Sequence, residues 1–270
     1  MWARLFPLTS ALIPLSLRQA RRPQRVLERH WFVGKGGFIW VLAGGFFEPF
    51  FFLISTQLGF GSLISDINVG GQTVPYAEFV APALLAASAM NGAMYETMNV
   101  FFRMSFDKIY VSMLSTPMTT GDIVIGDTLW ATIRGGIYAF GFIGVMAAMG
   151  MTSSWWGLLM FPVTLLIALA FGAIGMVVAT FIRSVEDFEY IPTAMLPLFL
   201  FSATFFPASS YGDFRWVLNL SPLYHGVVLL RGLNLGQLSW AMLAHAAVLI
   251  AIAVVGTVIA SRRIERSLVS

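Results

Sequence analysis

The sequence predicts an all-α polytopic membrane protein with six transmembrane helices. Three observations carry this expectation. Of the 270 residues, 58% are apolar and only 11% charged, against about 25% charged in a soluble domain. Six stretches stay apolar over the roughly 20 residues that a helix needs to cross a 30 Å hydrocarbon core. Lysine and arginine collect on one side of these stretches, as the positive-inside rule requires. The runs are continuously apolar and do not alternate, which favours helices over a barrel.

Residues 1–36 read as a cytoplasmic or interfacial amphipathic segment. The apolar run from Leu5 to Leu17 is broken by Pro7 and Pro14, and arginines follow where a signal peptide would need small residues. Apolar side chains among headgroups, with Arg18 to Arg29 on anionic lipid, account for it. A plain topology anchor accounts for it equally. Residues 37–260 hold the spans, at 37–60, 78–102, 123–149, 155–182, 190–207 and 238–260; the fifth is short and carries Pro192 and Pro197. Residues 261–270 form a basic tail with Arg262, Arg263 and Arg266. Arg103, Lys108 and Arg183 lie in the loops on the same side, whereas 61–77 and 150–154 contain no Lys or Arg. Both termini are therefore expected in the cytoplasm, with the chain in a bacterial inner membrane. The loop at 208–237 is external and too apolar to be solvated. Segments 214–218 and 223–233, split at Ser221-Pro222, suit short re-entrant helices.

Several functions are disfavoured. Cysteine is absent, and His30, His225 and His245 are far apart in sequence, so a metal cluster is not expected. The basic residues border apolar spans, which speaks against nucleic acid as a partner. Neither Lys35 nor Lys108 has the glycine six residues before it that GxxxxGK[ST] requires. No cofactor is expected on this chain, and it is not an enzyme on its own.

Ionisable residues within apolar spans are costly and so informative. Glu48 lies about 16 Å into the first span at 1.5 Å per residue, and Arg134 lies at similar depth in the third. Asp127 precedes Arg134 by one heptad, and Glu96 sits in the inner half of the second span between Asn91 and Asn99. These residues line a polar pathway or gate, or else form buried pairs that fix packing. Met90, Met94 and Met98 recur every fourth residue, as a flexible stripe for lipidic ligands or as ordinary core. Gly141/Gly144 and Gly172/Gly175, with Ala168 and Ala179, form small-residue faces for close packing. Between spans two and three, Phe106, Ile109, Tyr110, Met113 and Leu114 fall on one helical face, ended at Thr116-Pro117. Such a helix lies on the membrane or docks into another protein.

In this region the sequence resembles the ABC-2 type permeases, among them nodulation-factor (lipo-oligosaccharide) exporter and daunorubicin-resistance-type subunits. The resemblance rests on Phe47-Glu48-Pro49 with Leu58-Gly59-Phe60-Gly61, 79–86, Ser88-Ala89-Met90-Asn91 and Tyr95-Glu96. It continues through Lys108-Ile109-Tyr110 to Leu114-Ser115-Thr116-Pro117-Met118, then Gly126 to Trp130 with Arg134, 199–207, Ser221-Pro222-Leu223 and Arg231. Ala203 stands where the family often has glycine. The resemblance implies a permease subunit of an ATP-binding cassette exporter, working beside a second permease, identical or homologous. Two copies of a cytoplasmic ATPase would carry ATP and Mg. It makes the segment near 106–117 the coupling helix that the ATPase pushes, with Phe106, Asp107, Tyr110, Met113, Leu114 and Pro117 as contacts. The N-terminal stretch would be the connecting helix. Glu48, Met90, Asn91, Met94, Glu96 and Arg134 are the candidate pathway or gate residues, for a lipidic, glycolipid or amphipathic drug-like cargo. An ion-coupled secondary transporter or channel is the alternative, kept open by the proline-bearing fifth span. A membrane enzyme would need an interfacial catalytic cluster that the sequence does not supply.

Overall fold

A computed structural model describes residues 22–63, 66–69 and 71–268, without the side chains of 38, 42, 45, 46, 48, 49 and 60–63. The run from Leu5 to Leu17 lies outside the described residues. So do the side chain of Glu48 and the last two residues of the tail.

Helix α1 (Arg22–Gly34) leads through a 3-10 turn (Lys35–Gly37) into α2 (Phe38–Leu63). Next come a two-stranded hairpin, β1 (Ile67–Val69) and β2 (Gln72–Val74), then α3 (Tyr76–Met94), α4 (Glu96–Ser105) and the short α5 (Ile109–Leu114). Helix α6 (Thr120–Ala148), a 3-10 turn (Trp155–Leu159) running into α7 (Met160–Ala179), and α8 (Tyr190–Leu200) follow. The chain closes with α9 (Arg215–Leu218), α10 (Pro222–Leu235) and α11 (Ala241–Leu268). Among the described residues, three helices are long and apolar enough to cross a membrane: Thr120–Ala148, Trp155–Ala179 and Ala241–Leu268.

Local chemistry explains the boundaries. Thr119 and Asp122 form a reciprocal capping box that starts α6. Asp187 does the same for the turn before α8; its carboxylate accepts from the Arg183 and Ser184 N–H groups at 2.8 and 3.0 Å, which hold it below the usual carboxylate range. Pro222 occupies the first turn of α10, where its missing N–H costs nothing. Tyr95, between α3 and α4, keeps helical angles (φ −56°, ψ −26°), so the two helices run on from one another. The hairpin departs from an all-α fold. Val69 pairs with Gln72, with Gly71 at φ +86°, and Gln237 ties the hairpin to the far end of α10 by a 3.0 Å bond to the Val69 carbonyl.

Helix α7 is the centre of the bundle and packs on α6, α11 and α3. Close approach needs glycine at particular points. A Cβ on Gly92 would lie 2.8 Å from the Gly135 Cα, and one on Gly175 would lie 2.5 Å from Thr97 Oγ1. Gly172, Gly175, Ala168 and Ala179 do form a packing face, but Gly144 does not, since a Cβ there meets nothing within 4 Å. The third span packs instead through Gly126, Gly135 and Gly136, because α6 turns that side towards α1, α3 and α7.

The fifth apolar stretch is helical only to Leu200. Phe201 leaves the helix, and Ala203 adopts φ +55°. An L-residue pays about 1–2 kcal/mol in this region, and glycine's greater backbone freedom returns part of that when it is substituted. Ala203→Gly is expected to stabilise the protein by up to ~1 kcal/mol, read as a small rise in unfolding temperature in detergent.

Candidate functional site

Two features lie on opposite sides of the long helix formed by α3 and α4. The first is a buried polar network. Asp127, fully buried in α6, accepts hydrogen bonds from His30 Nε2 of α1 and from the Tyr110 hydroxyl of α5. Arg103 of α4 reaches it at 3.5 Å and donates to Glu96 at 2.8 Å. Glu96 also accepts from Arg134 of α6 at 3.3 Å and from Asn99 at 3.0 Å. The carboxylates of Asp127 and Glu96 thus face the guanidinium groups of Arg103 and Arg134, so neither buried carboxylate lacks a counter-charge. Burial and the Asp127 carboxylate push the Tyr110 phenol well above its usual range, so it remains a hydrogen-bond donor.

The sequence places Tyr110 on an apolar face, and that face turns inwards. Tyr110 is 0% exposed, and Met113 and Leu114 pack beside it against Val100, Ile123, Met176 and Ile264. Phe106 does not share this face. Lys108 takes a left-handed conformation (φ +51°), which separates Phe106 from α5 and leaves its ring exposed. Asp107 and Pro117 are exposed as well, as are Val111 and Ser112 on the outer side of α5. The expected buried pairing is met with different partners: Arg134 joins Glu96, and Asp127 joins His30, Arg103 and Tyr110.

The second feature is an apolar cavity of about 540 Å³ between α3, α4 and α8, with Phe52 of α2 and Phe142 of α6 also in its wall. Met90, Asn91, Met94 and Met98 line it, so the methionine stripe and Asn91 come together there. Glu96 and Arg134 do not; they border a smaller polar cavity of about 350 Å³ on the other side. The candidate pathway residues therefore divide between two sites. Ser88, one turn before Asn91, also lines the larger cavity, and its buried hydroxyl has no hydrogen-bond partner.

Arg231, named for the resemblance alone, is a structural clamp. Its guanidinium lies 3.9 Å from the Phe79 ring centroid and donates to the Phe79 and Ala203 carbonyls at 3.2 and 2.9 Å. His225 and His245 meet through their Nδ1 atoms at 2.7 Å, and His225 Nε2 lies 3.1 Å from the Asn219 carbonyl. Among the described residues, no group of three His, Cys, Asp or Glu is placed to hold a metal. His30 and Arg103 were not singled out as site residues from sequence. For His30 a signal existed: Val26 and His30, one turn apart, are the buried positions of α1.

Apolar helices long enough to cross a bilayer, packed around an internal charge network, define an integral membrane protein. The ABC-2 type transporter profile matches residues 39–235, and the chain belongs to that family. Members are membrane subunits of transporters and not enzymes themselves. The chain is similar to nodulation protein J of Rhizobium leguminosarum bv. viciae, at 30% identity over 247 residues, 90% of this chain and 93% of the relative. The bv. trifolii protein of the same name is 33% identical over 216 residues, 78% of this chain and 80% of its own. That of Sinorhizobium fredii is 29% identical over 250 residues, 91% and 93% of the two chains.

Proposed function

We propose that this chain is the six-span permease of an ATP-driven exporter, with α2, α3–α4, α6, α7, α8 and α11 as spans and both termini in the cytoplasm of an inner membrane. Residues 1–36, 37–260 and 261–270 are its interfacial, permease and tail segments. The carrying observation is that α5 is joined by Tyr110 to Asp127, and so to α1, α4 and α6, while its outer side stays exposed. A push on α5 by a separate ATPase would move three other helices with it. Phe106, Asp107 and Pro117, with Val111, form the docking side; Tyr110, Met113 and Leu114 transmit. Two ATPase copies carrying ATP and Mg, and a second permease, complete the transporter. Differential binding of ATP to two states would drive the cycle.

The cavity on Met90, Asn91 and Met94 is the cargo site in this reading. Its wall is apolar apart from Ser88, Asn91 and Tyr95, and thioether side chains adapt to varied shapes. This suits a lipidic, glycolipid or amphipathic drug-like cargo.

Co-purification in mild detergent tests the reading. Wild type is expected to retain a nucleotide-hydrolysing partner. Phe106→Asp places a charge where the ring is exposed, and it should reduce recovered ATPase by about tenfold or more without lowering the protein's unfolding temperature. A folded protein that retains no such partner under any condition points to the ion-coupled alternative.

A further inference from the structure

Phe188 bounds the apolar cavity at the end nearest α5; it belongs to the 3-10 turn (Val185–Glu189) that precedes α8. Along the helix formed by α3 and α4, the cavity wall runs from Leu84 to Met98. The rings that Phe188 meets lie one turn past that wall. Phe101 stands edge-on to it at 5.3 Å between centroids, and Phe102 is stacked at 6.5 Å with 9° between the planes. Both of these rings also meet Phe106, at 5.7 and 5.4 Å. Four aromatic side chains therefore connect the cavity wall to the turn before α5. Phe101 is buried among them, and Phe106 is exposed at the far end. The Asp187 carboxylate, beside Phe188, accepts from the Arg183 and Ser184 N–H groups and so fixes the turn. Helix α8 is seated differently. None of its residues is buried, and Pro197 removes a hydrogen bond from within it. A stiff turn joined to a loosely seated helix moves as a unit, carrying Phe188 and the α8 wall together.

We propose that Phe188 is the gating residue of the apolar cavity, and that Phe101, Phe102 and Phe106 tie its position to the turn before α5. The inference rests on the reading of this cavity as the cargo site and of Phe106 as an ATPase contact. It adds a second route between the two, separate from the buried bond of Tyr110 to Asp127. A ring pair contributes little beyond its buried area, so such contacts can slide where a buried ion pair holds one arrangement. With Phe188 against Phe101 and Phe102, the cavity ends in a wall of rings. Displacement of Phe106 withdraws support from both of those rings, and Phe188 then swings away with α8. The end that opens is the one that faces the ATPase.

The chain contains no cysteine, so one introduced thiol reports access without background. Met94→Cys places it inside the cavity at a position 8% exposed, and Met98→Cys places it one turn further at a position 45% exposed. The full chain is reconstituted in liposomes, where lipid keeps a charged methanethiosulfonate reagent from entering through the apolar sides. Phe188→Ala is expected to speed modification of Met94→Cys by about tenfold, the scale set by the loss of two ring contacts. Phe106→Ala, which removes only the support behind those rings, should speed it by about threefold. Met98→Cys should change little in either background, and Val111→Ala, on the outer side of α5 and outside the ring cluster, should leave both rates alone. An unchanged rate for Met94→Cys in Phe188→Ala, or an equal rise at both thiols, overturns the gate. An unchanged rate in Phe106→Ala overturns its link to the turn before α5. The readout needs no ATP and no partner protein, so failure of the gate and failure of ATPase recovery are distinguished.

Discussion

Asp127→Ala is expected to lower the unfolding temperature in detergent by roughly 10 °C and to abolish coupled transport. The carboxylate is the acceptor shared by His30, Tyr110 and Arg103, from three different helices. Removing it leaves a buried guanidinium with one counter-charge fewer and a buried phenol with no acceptor. Breaking a buried ion pair from one side costs about 3–5 kcal/mol, and about 2–4 °C accompanies each kcal/mol in a chain near this size. Asp127→Asn keeps the shape and one acceptor oxygen, so its loss should be smaller. Adding Arg103→Met to Asp127→Ala should restore part of the stability, because the orphaned charge goes too. If the double variant is no more stable than Asp127→Ala, the cost lies in packing and not in the charge network.

Gly135→Val is expected to be as damaging, for a steric reason. A Cβ at this position would stand 2.7 Å from both the Ala168 Cβ and the Ala89 carbonyl oxygen. Neither neighbour can swing away, since one is backbone and the other a methyl fixed to it. Helices α3, α6 and α7 must then separate, at a cost of about 3 kcal/mol or more. A Cβ on Gly144 of the same helix would meet nothing within 4 Å, so Gly144→Val should leave stability nearly unchanged. The comparison needs only expression level and unfolding temperature for the two variants. Similar behaviour of both would mean that α6 is rotated relative to its described packing.

The helices were readable because hydropathy and charge vary on the scale of whole spans. The third expected span, 123–149, falls within three residues of α6 at either end, and the sixth, 238–260, starts three residues before α11 and stops eight short of its end. Pairing was much less readable. His30 and Asp127 are 97 residues apart in sequence, and nothing in a local pattern says that α1 crosses α6 at Gly126, where a Cβ would lie 2.5 Å from Val26. Arg103 reads as one more positive charge of a cytoplasmic loop, yet it joins two carboxylates on different helices. The amphipathic face of α5 was visible, but amphipathicity does not distinguish a face turned to a partner from one turned to its own core. Glycine spacing misled in the same way: it marks small-residue faces without saying which one is covered. The hairpin carried a local signal, Gly70-Gly71 between Val69 and Gln72, hidden inside a loop expected to be irregular.

The continuity of α3 with α4 has a mechanical consequence. From residue 76 to 105 the chain is a strut of ~45 Å at 1.5 Å per residue, so each degree of tilt at one end shifts the other by ~0.8 Å. Gly92 meets Gly135 near its middle, where a Cβ on either glycine would run into the facing backbone. A strut pivoting there behaves as a seesaw, in which inward travel at the α5 end becomes outward travel at the hairpin end. Met90 stands on one side of that fulcrum and Met94 and Met98 on the other. The two halves of the apolar cavity would therefore widen and narrow in opposite phase, with no hinge required inside the helix.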